Sequence, residues 1–262
     1  SGSDTSSFVS APEQVSDIAV QGFASRRDHQ ASYVEEGVVS FFVVSDKYEA
    51  TISSSSGGSI VGFKMMGSQQ DGYKYIGGYN DFGEYEENLN LDLTLPLENR
   101  CSPCLSYDDV YLDGSFKIVS PPVFDGQIFN LYGLDSLVVV METVIDSHTV
   151  RKETTFYANS FIIQHNYNVD NLMTRFFVLW DNGIRATEKN LYEELTYSEA
   201  YIGQLKEISD ISLTPSALVD VVEKQFFSGK TDWVAIRNKY FINSFISDQA
   251  VGGQLSARSF KL

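Results

Sequence analysis

Apolar and polar residues alternate through roughly the first two-thirds of the chain, and the alternation stops near residue 186. Leu89, Leu91, Leu93, Leu95 and Leu97 are separated by Asn90, Asp92, Thr94 and Pro96. A period of two belongs to a strand with one buried face. Beyond residue 186 the spacing lengthens, as in Trp233, Ile236, Arg237, Tyr240 and Phe241. Recurrence every three or four residues is the signature of an amphipathic helix. The pattern predicts a β domain followed by a helical extension.

Within the β part, eight strands are expected, at 38–45, 58–66, 89–97, 110–119, 127–132, 136–146, 153–164 and 172–180. Val, Ile, Phe, Tyr and Thr dominate them, and Gly77-Gly78, Pro121-Pro122, Gly133 and Asn182-Gly183 punctuate them. The run Leu137 to Met141 is apolar at every position, as in a strand covered on both faces. Strands in series without intervening helices indicate an antiparallel sandwich or jelly roll over 37–186. Residues 1–36, rich in Ser, Gln, Asp and Glu, read as an extended arm.

Over 187–262 three helices are expected. The first, 187–208, carries Leu191, Leu195, Ile202 and Leu205. The second starts with Thr214 as cap and Pro215 at its first position, exits at Gly229, and presents Leu218, Val221, Val222 and Phe226 on one face. The third runs from Thr231 to about Ile246, and Ser247 to Leu262 reads as a second arm. Helices this short need a packing partner. That partner is another of the three helices, the sheet or a second chain.

The longest apolar runs fall far short of the roughly 20 residues that span a bilayer, so no membrane span is expected. Ser1 to Ser10 lack the basic-then-apolar order of a signal peptide. A start without Met would follow from its removal, from cleavage of a precursor or from an artificial start. Residues 1–184 hold 10 Lys/Arg against 25 Asp/Glu, a net of −15, whereas 185–262 hold 9 against 10. An acidic body of this kind repels phosphate backbones. Direct sequence-specific binding of nucleic acid is not expected, and the nearly neutral tail suits contact with protein.

Candidate chemistry is sparse. Cys101 and Cys104 form a solitary C-S-P-C without the further ligands of a zinc site. They are either structural thiols or a local disulfide. Asp146-Ser147-His148 places three triad residue types side by side, where adjacent side chains point apart, and no G-x-S-x-G elbow is present. His165 stands without a motif, and Gly57-Gly58 lacks the strand–glycine–helix context of a phosphate loop. Tyr73, Tyr75, Tyr79 and Tyr85 lie among glycines and acids in 71–88, a composition that suits a sugar platform or a loop packed on the sheet edge. No metal site, cofactor or catalytic residue is expected, and the chain reads as a non-enzyme.

The arm, the eight strands, the long loop after the second strand and Pro121-Pro122 in a mid-domain connection resemble the capsid jelly roll of picorna-like viruses over residues 37–186. The helical tail makes the chain more similar to insect viruses of the Nora virus type, whose capsids carry helical projections. The tryptophan-arginine-glycine run frequent in such proteins is missing. The resemblance implies a structural subunit of an icosahedral virion, assembled in the host cytoplasm with like and unlike capsid subunits and meeting a host receptor. It implies assembly contacts at Leu218, Val222, Phe226, Trp233, Tyr240 and Phe245, packed against helices of an adjacent subunit. The alternatives are a bacteriophage tail or baseplate protein, a carbohydrate-binding adhesin sandwich that uses the tyrosine loop, and a β-sandwich hydrolase with an acid pair in a cleft.

Overall fold

The computed structural model describes residues 37–68, 71–95, 101–107, 110–112, 114–145, 148–170, 176–180, 183–212 and 222–258. The arm expected over 1–36 lies outside them. In chain order the strands are β1 (Ser40–Val44), β2 (Tyr48–Ser53), β3 (Ile60–Ser68), β4 (Gly72–Tyr73), β5 (Ile76–Tyr79), β6 (Tyr85–Asn90) and β7 (Cys104–Tyr107). They continue with β8 (Val110–Leu112), β9 (Lys117–Ser120), β10 (Gln127–Asn130), β11 (Ser136–Ile145), β12 (His148–Tyr157), β13 (Ile163–Val169) and β14 (Phe176–Leu179). One short helix, α1 (Leu191–Leu195), precedes β15 (Glu199–Gln204), β16 (Glu207–Ser212), β17 (Val222–Ser228), β18 (Trp233–Arg237), β19 (Ile242–Ile246) and β20 (Gly252–Arg258). The protein is mainly β, and among the described residues the sheets are antiparallel apart from one pairing.

That exception joins β10 parallel to β1, with Phe41 opposite Gln127, in a sheet ordered β10-β1-β2-β3-β4. The sheet β13-β12-β11-β9 supplies the other side of the core. Alternate residues point inward from each: Phe41 and Val43, Tyr48, Ala50 and Ile52, Val139 and Met141, Val150 and Phe156. Burying one such aliphatic or aromatic side chain is worth roughly 1.5–3 kcal/mol. A third sheet, β14-β7-β8, adds Leu105 and Leu112 to the same cluster. Period two appears here because each strand has one face in a shared interior.

The alternating leucines from Leu89 do not build a ladder. β6 ends at Asn90, and residues 96 and 97 of the expected strand lie outside the described residues. Between them the chain is tied on by the isolated bridge Lys64↔Asp92, by Leu91 and Leu93 N–H donating to Tyr75 O and Phe63 O, and by Leu93 O accepting Arg185 N–H. The Asp92 carboxylate takes over the ladder's work, accepting the N–H groups of Phe63 and Thr94 and the Thr94 hydroxyl.

The helical extension is replaced by strands. Only Leu191–Leu195 is helical in the span of the first expected helix, and β15 and β16 follow as a hairpin. The third expected helix is the hairpin β18–β19. Its three- and four-residue spacings arise because the chain reverses between Trp233 and Phe245. At that turn the Asn238 side-chain oxygen accepts the N–H groups of Tyr240 and Phe241. Of the second expected helix, Thr214, Pro215, Leu218 and Val221 lie outside the described residues, and 222–228 forms β17. The second arm contains β20, paired with β17 from Val222↔Arg258 to Ser228↔Gly252.

These C-terminal strands form a four-stranded sheet, β16-β15-β18-β19, and a two-stranded one, β17-β20. Between them Ala200, Ile202, Ile211 and Leu255 are buried, with Phe227, Val234 and Ile236 packed against them. The described residues thus form two separate apolar cores.

Candidate functional site: a polar seam and an exposed sheet face

Arg185 and Glu194 are both almost completely buried, and together with Asn238 they join the two bodies. The Arg185 guanidinium donates to Thr94 O (2.5 Å) and Tyr79 O (2.9 Å) and pairs with Asp81 (2.7 Å), all in the N-terminal body. Its own carbonyl accepts from the Asn238 side-chain amide at 3.2 Å. The same amide donates to Glu194 Oε1 at 3.0 Å. Asn190 caps α1 by accepting from Glu193 N–H, and this short helix carries Glu194 inward. Its carboxylate there accepts the N–H groups of Thr187 and Glu188 and the Thr187 hydroxyl, at 2.6–2.8 Å. Buried charge is tolerated because every lone pair in reach has a donor.

Aromatic rings line the outside of this seam. Tyr75 meets Phe241 edge-on at 5.2 Å, and Trp180 meets Phe245 at 5.3 Å. Lys239 binds Glu188 (3.1 Å) and Glu193 (2.8 Å) and lies over the rings of Tyr197 and Tyr240. Hydrogen bonds to the two carboxylates push the Lys239 ammonium above the ordinary lysine range. The Tyr240 hydroxyl donates to Glu188, and this bond, with Lys239, holds that carboxylate below its usual range.

The sequence-selected residues separate accordingly. Tyr75, Tyr240 and Phe245 meet different partners, Phe241, Glu188 and Trp180 respectively, whereas Phe226 is exposed on the two-stranded sheet. Leu218 lies outside the described residues, as does the side chain of Val222. Tyr79 and Tyr85 contact each other at 5.5 Å across the β5–β6 hairpin, and the Tyr79 hydroxyl donates to Lys189 O. Tyr73 donates to Glu49 at 2.7 Å, and partial burial together with that bond raises its hydroxyl to about 12. Tyr73, Tyr75 and Tyr79 reach partners outside their hairpins, and Tyr85 packs on Tyr79. Arg185, Glu194 and Asn238 were not selected, because isolated polar residues without a motif give no sequence signal.

The four-stranded C-terminal sheet covers one core with one face and leaves the other uncovered among the described residues. The register places Ile208, Gly203, Trp233 and Ile246 in one row across all four strands, followed by Asp210, Tyr201, Ala235 and Ser244, and then by Ser212, Glu199, Arg237 and Ile242. Ile208 is 66% exposed and Ile246 83%. Trp233 lies flat on Gly203, where a Cβ would stand 2.3–2.8 Å from three indole atoms. Gly203→Val is therefore expected to lift the ring, cost about 1–3 kcal/mol by overpacking, and red-shift tryptophan emission. Unchanged emission would contradict this placement.

Lys152 occupies an inward position of β12 between Val150 and Thr154 and is fully buried. Its ammonium donates to Gly57 O (3.1 Å), Gly58 O (2.7 Å) and Pro103 O (2.9 Å). Gly57 and Gly58 have φ of +71° and +67°, and a Cβ on either would collide with Cys104 or Met141. The glycine pair thus turns two carbonyls toward the lysine, and Pro103 lies inside the Cys101–Cys104 disulfide loop (Cα–Cα 5.0 Å). Of the two readings left open for these cysteines, the bridge is the one formed. Burial pulls the ammonium down to about 7, and the three carbonyl acceptors oppose loss of its proton.

A cleft of about 410 Å³ at the edge of the N-terminal sandwich is lined by Val39, Ser54, Ser115, Phe116, Ile118 and Val123 among others, with no carboxylate in its wall. Among the described residues no three His, Cys, Asp or Glu side chains gather to hold a metal. No helix among them is long and apolar enough to cross a membrane. The arrangement offers recognition through ion pairs, aromatic rims and an open sheet face.

No protein-family model matches the chain, and no solved structure does. Over 174 residues the chain is 29% identical to the membrane protein insertase YidC of Chloroherpeton thalassium (strain ATCC 35110 / GB-78), a match covering 63% of this chain and 28% of that protein. The chain thus spans little more than a quarter of its curated relative's length.

Proposed function

We propose that this chain is a non-catalytic β-sandwich domain of a membrane-protein insertion factor, standing outside the bilayer and presenting surfaces to which other polypeptides dock. The observation that carries the reading is the 174-residue similarity to a membrane protein insertase. The buried Cys101–Cys104 disulfide agrees with a place on the oxidising side of a membrane, since such bonds are rare where thiols are kept reduced. The seam fixes two sandwiches as one support, so that surfaces on both keep a set relation to the membrane-embedded machinery. The virion-subunit expectation shares with this reading only the mainly β class.

The test places a photo-crosslinking amino acid at Ile246, in the protein as its host makes it, while a membrane protein is synthesised into vesicles. Crosslinks to the nascent chain or to insertion machinery are the expected result. Crosslinks confined to copies of this chain, with closed particles in electron micrographs, would overturn the reading in favour of a shell protein.

A further inference from the structure

β19 is an edge strand. It pairs with β18 on one side, and among the described residues no strand pairs with its other side. Its sequence, Ile-Asn-Ser-Phe-Ile, has no charge, proline or bulge. Natural edges are normally blunted by one of those devices, because a flat uncharged edge invites another strand. Here Ile242 and Ile246 are exposed on the uncovered face, and Ile246 extends the row of Trp233 and Ile208. A row of open N–H and C=O groups is matched most fully by a second peptide backbone, which names the class of occupant.

Charge narrows the occupant further. Beyond the Ile246 end lies exposed Asp248, Asp232 next to it is paired with Lys230, and at the other end Arg237, opposite Ile242, is paired with Glu199. Before the Ile242 end, Glu188 and Glu193 share the single ammonium of Lys239. An apolar edge is thus bracketed by unbalanced negative charge. A second copy pairing edge to edge would bring the same negative ends, Asp248 and the Glu188–Glu193 pair, against one another and be repelled. We infer that β19 receives, by strand addition, an extended apolar segment of another polypeptide flanked by lysine or arginine. The source of that segment, a membrane protein being inserted, rests on the insertase reading; the binding itself does not.

The test titrates the whole protein against dye-labelled nonapeptides and follows anisotropy. One alternates Val and Ile with Ser and Thr between paired lysines, a second carries paired glutamates instead, and a third is the lysine form with proline at its centre. The lysine peptide is expected to bind, more weakly as salt rises, and the other two at least tenfold more weakly. Ser244→Lys, at an exposed edge position, is expected to weaken the lysine peptide at least tenfold with melting unchanged. Equal binding of the three peptides, no binding at all, indifference to Ser244→Lys, or association with phosphatidylcholine vesicles in place of peptide would each overturn the inference. Failure of the insertase reading would appear in the crosslinking and leave these titrations unaffected.

Discussion

Glu194→Ala is expected to lower stability by about 3–5 kcal/mol, the range for removing one member of a buried charged network. The loss strands the N–H groups of Thr187 and Glu188 and one donor of the Asn238 amide without their acceptor. For a chain of this size the melting temperature should fall by roughly 10 °C, taking about 2–4 °C per kcal/mol. The location of the effect distinguishes it from an ordinary core defect. Hydrogen exchange should accelerate in β15, β18 and β19, which the seam anchors, while β11 and β12 keep their protection. Glu194→Gln, which retains an acceptor for the two backbone donors, should recover part of the loss. Uniform acceleration in both bodies would show that the seam does not couple them in this way.

Lys152→Met is expected to destabilise the protein by about 2–4 kcal/mol near neutral pH, because two or three buried carbonyls lose their donor at about 1–3 kcal/mol each. Gly57 O and Gly58 O are the most affected, since Pro103 O keeps the Tyr167 hydroxyl at 3.3 Å. The pH dependence carries the sharper signature. The lysine is held down to about 7 in the folded protein, against an ordinary 10.5. Between these values the unfolded chain binds the proton and the folded chain releases it, so stability rises with pH through that window. Below about 7 both states are protonated, and the cost of burying the charge is fully present. The slope is at most about 1.4 kcal/mol per pH unit, reduced by the carbonyl bonds that favour the ammonium. Denaturant midpoints from pH 6.5 to 10.5 should climb in the parent relative to Lys152→Met; parallel curves would mean that the lysine stays charged throughout.

These two residues also show why parts of the molecule were legible in the sequence and others were not. Strands β1, β3, β10 and β11 coincide with alternating or wholly apolar runs because each has a face in the first core, whereas the expected strand 153–164 joins the second half of β12 to the start of β13 across a turn. The C-terminal strands carry a helix-like spacing because short strands joined by tight turns repeat apolar residues at three- and four-residue intervals. Ala200 and Ile202 keep a period of two, but over too short a run to outweigh that wider spacing. A lone lysine in a strand reads as a solvent-facing position. Lys152 faces inward only because its acceptors lie 49–95 residues away. Arg185 finds Thr94 at a distance of 91 residues, and Asn238 finds Glu194 at 44. Pairings of that range carry no local pattern, so the residues that hold the two bodies together could not be picked out beforehand.

The parallel pairing of β1 with β10 sets the order in which the molecule can be made. β1 can zip to β2 as soon as both have left the ribosome, but the strand that closes its other side follows about 85 residues later, as the bond from Ser40 N–H to Asp125 shows. At translation rates of 5–20 residues per second, that delay lasts roughly 4–17 s. For that interval the nascent sheet displays an open border beside Phe41 and Val43, and the first core has neither Val139 nor Phe156 to cover it. Folding of the N-terminal body is therefore a late, long-range event, slow by comparison with the local hairpins β11–β12 and β18–β19.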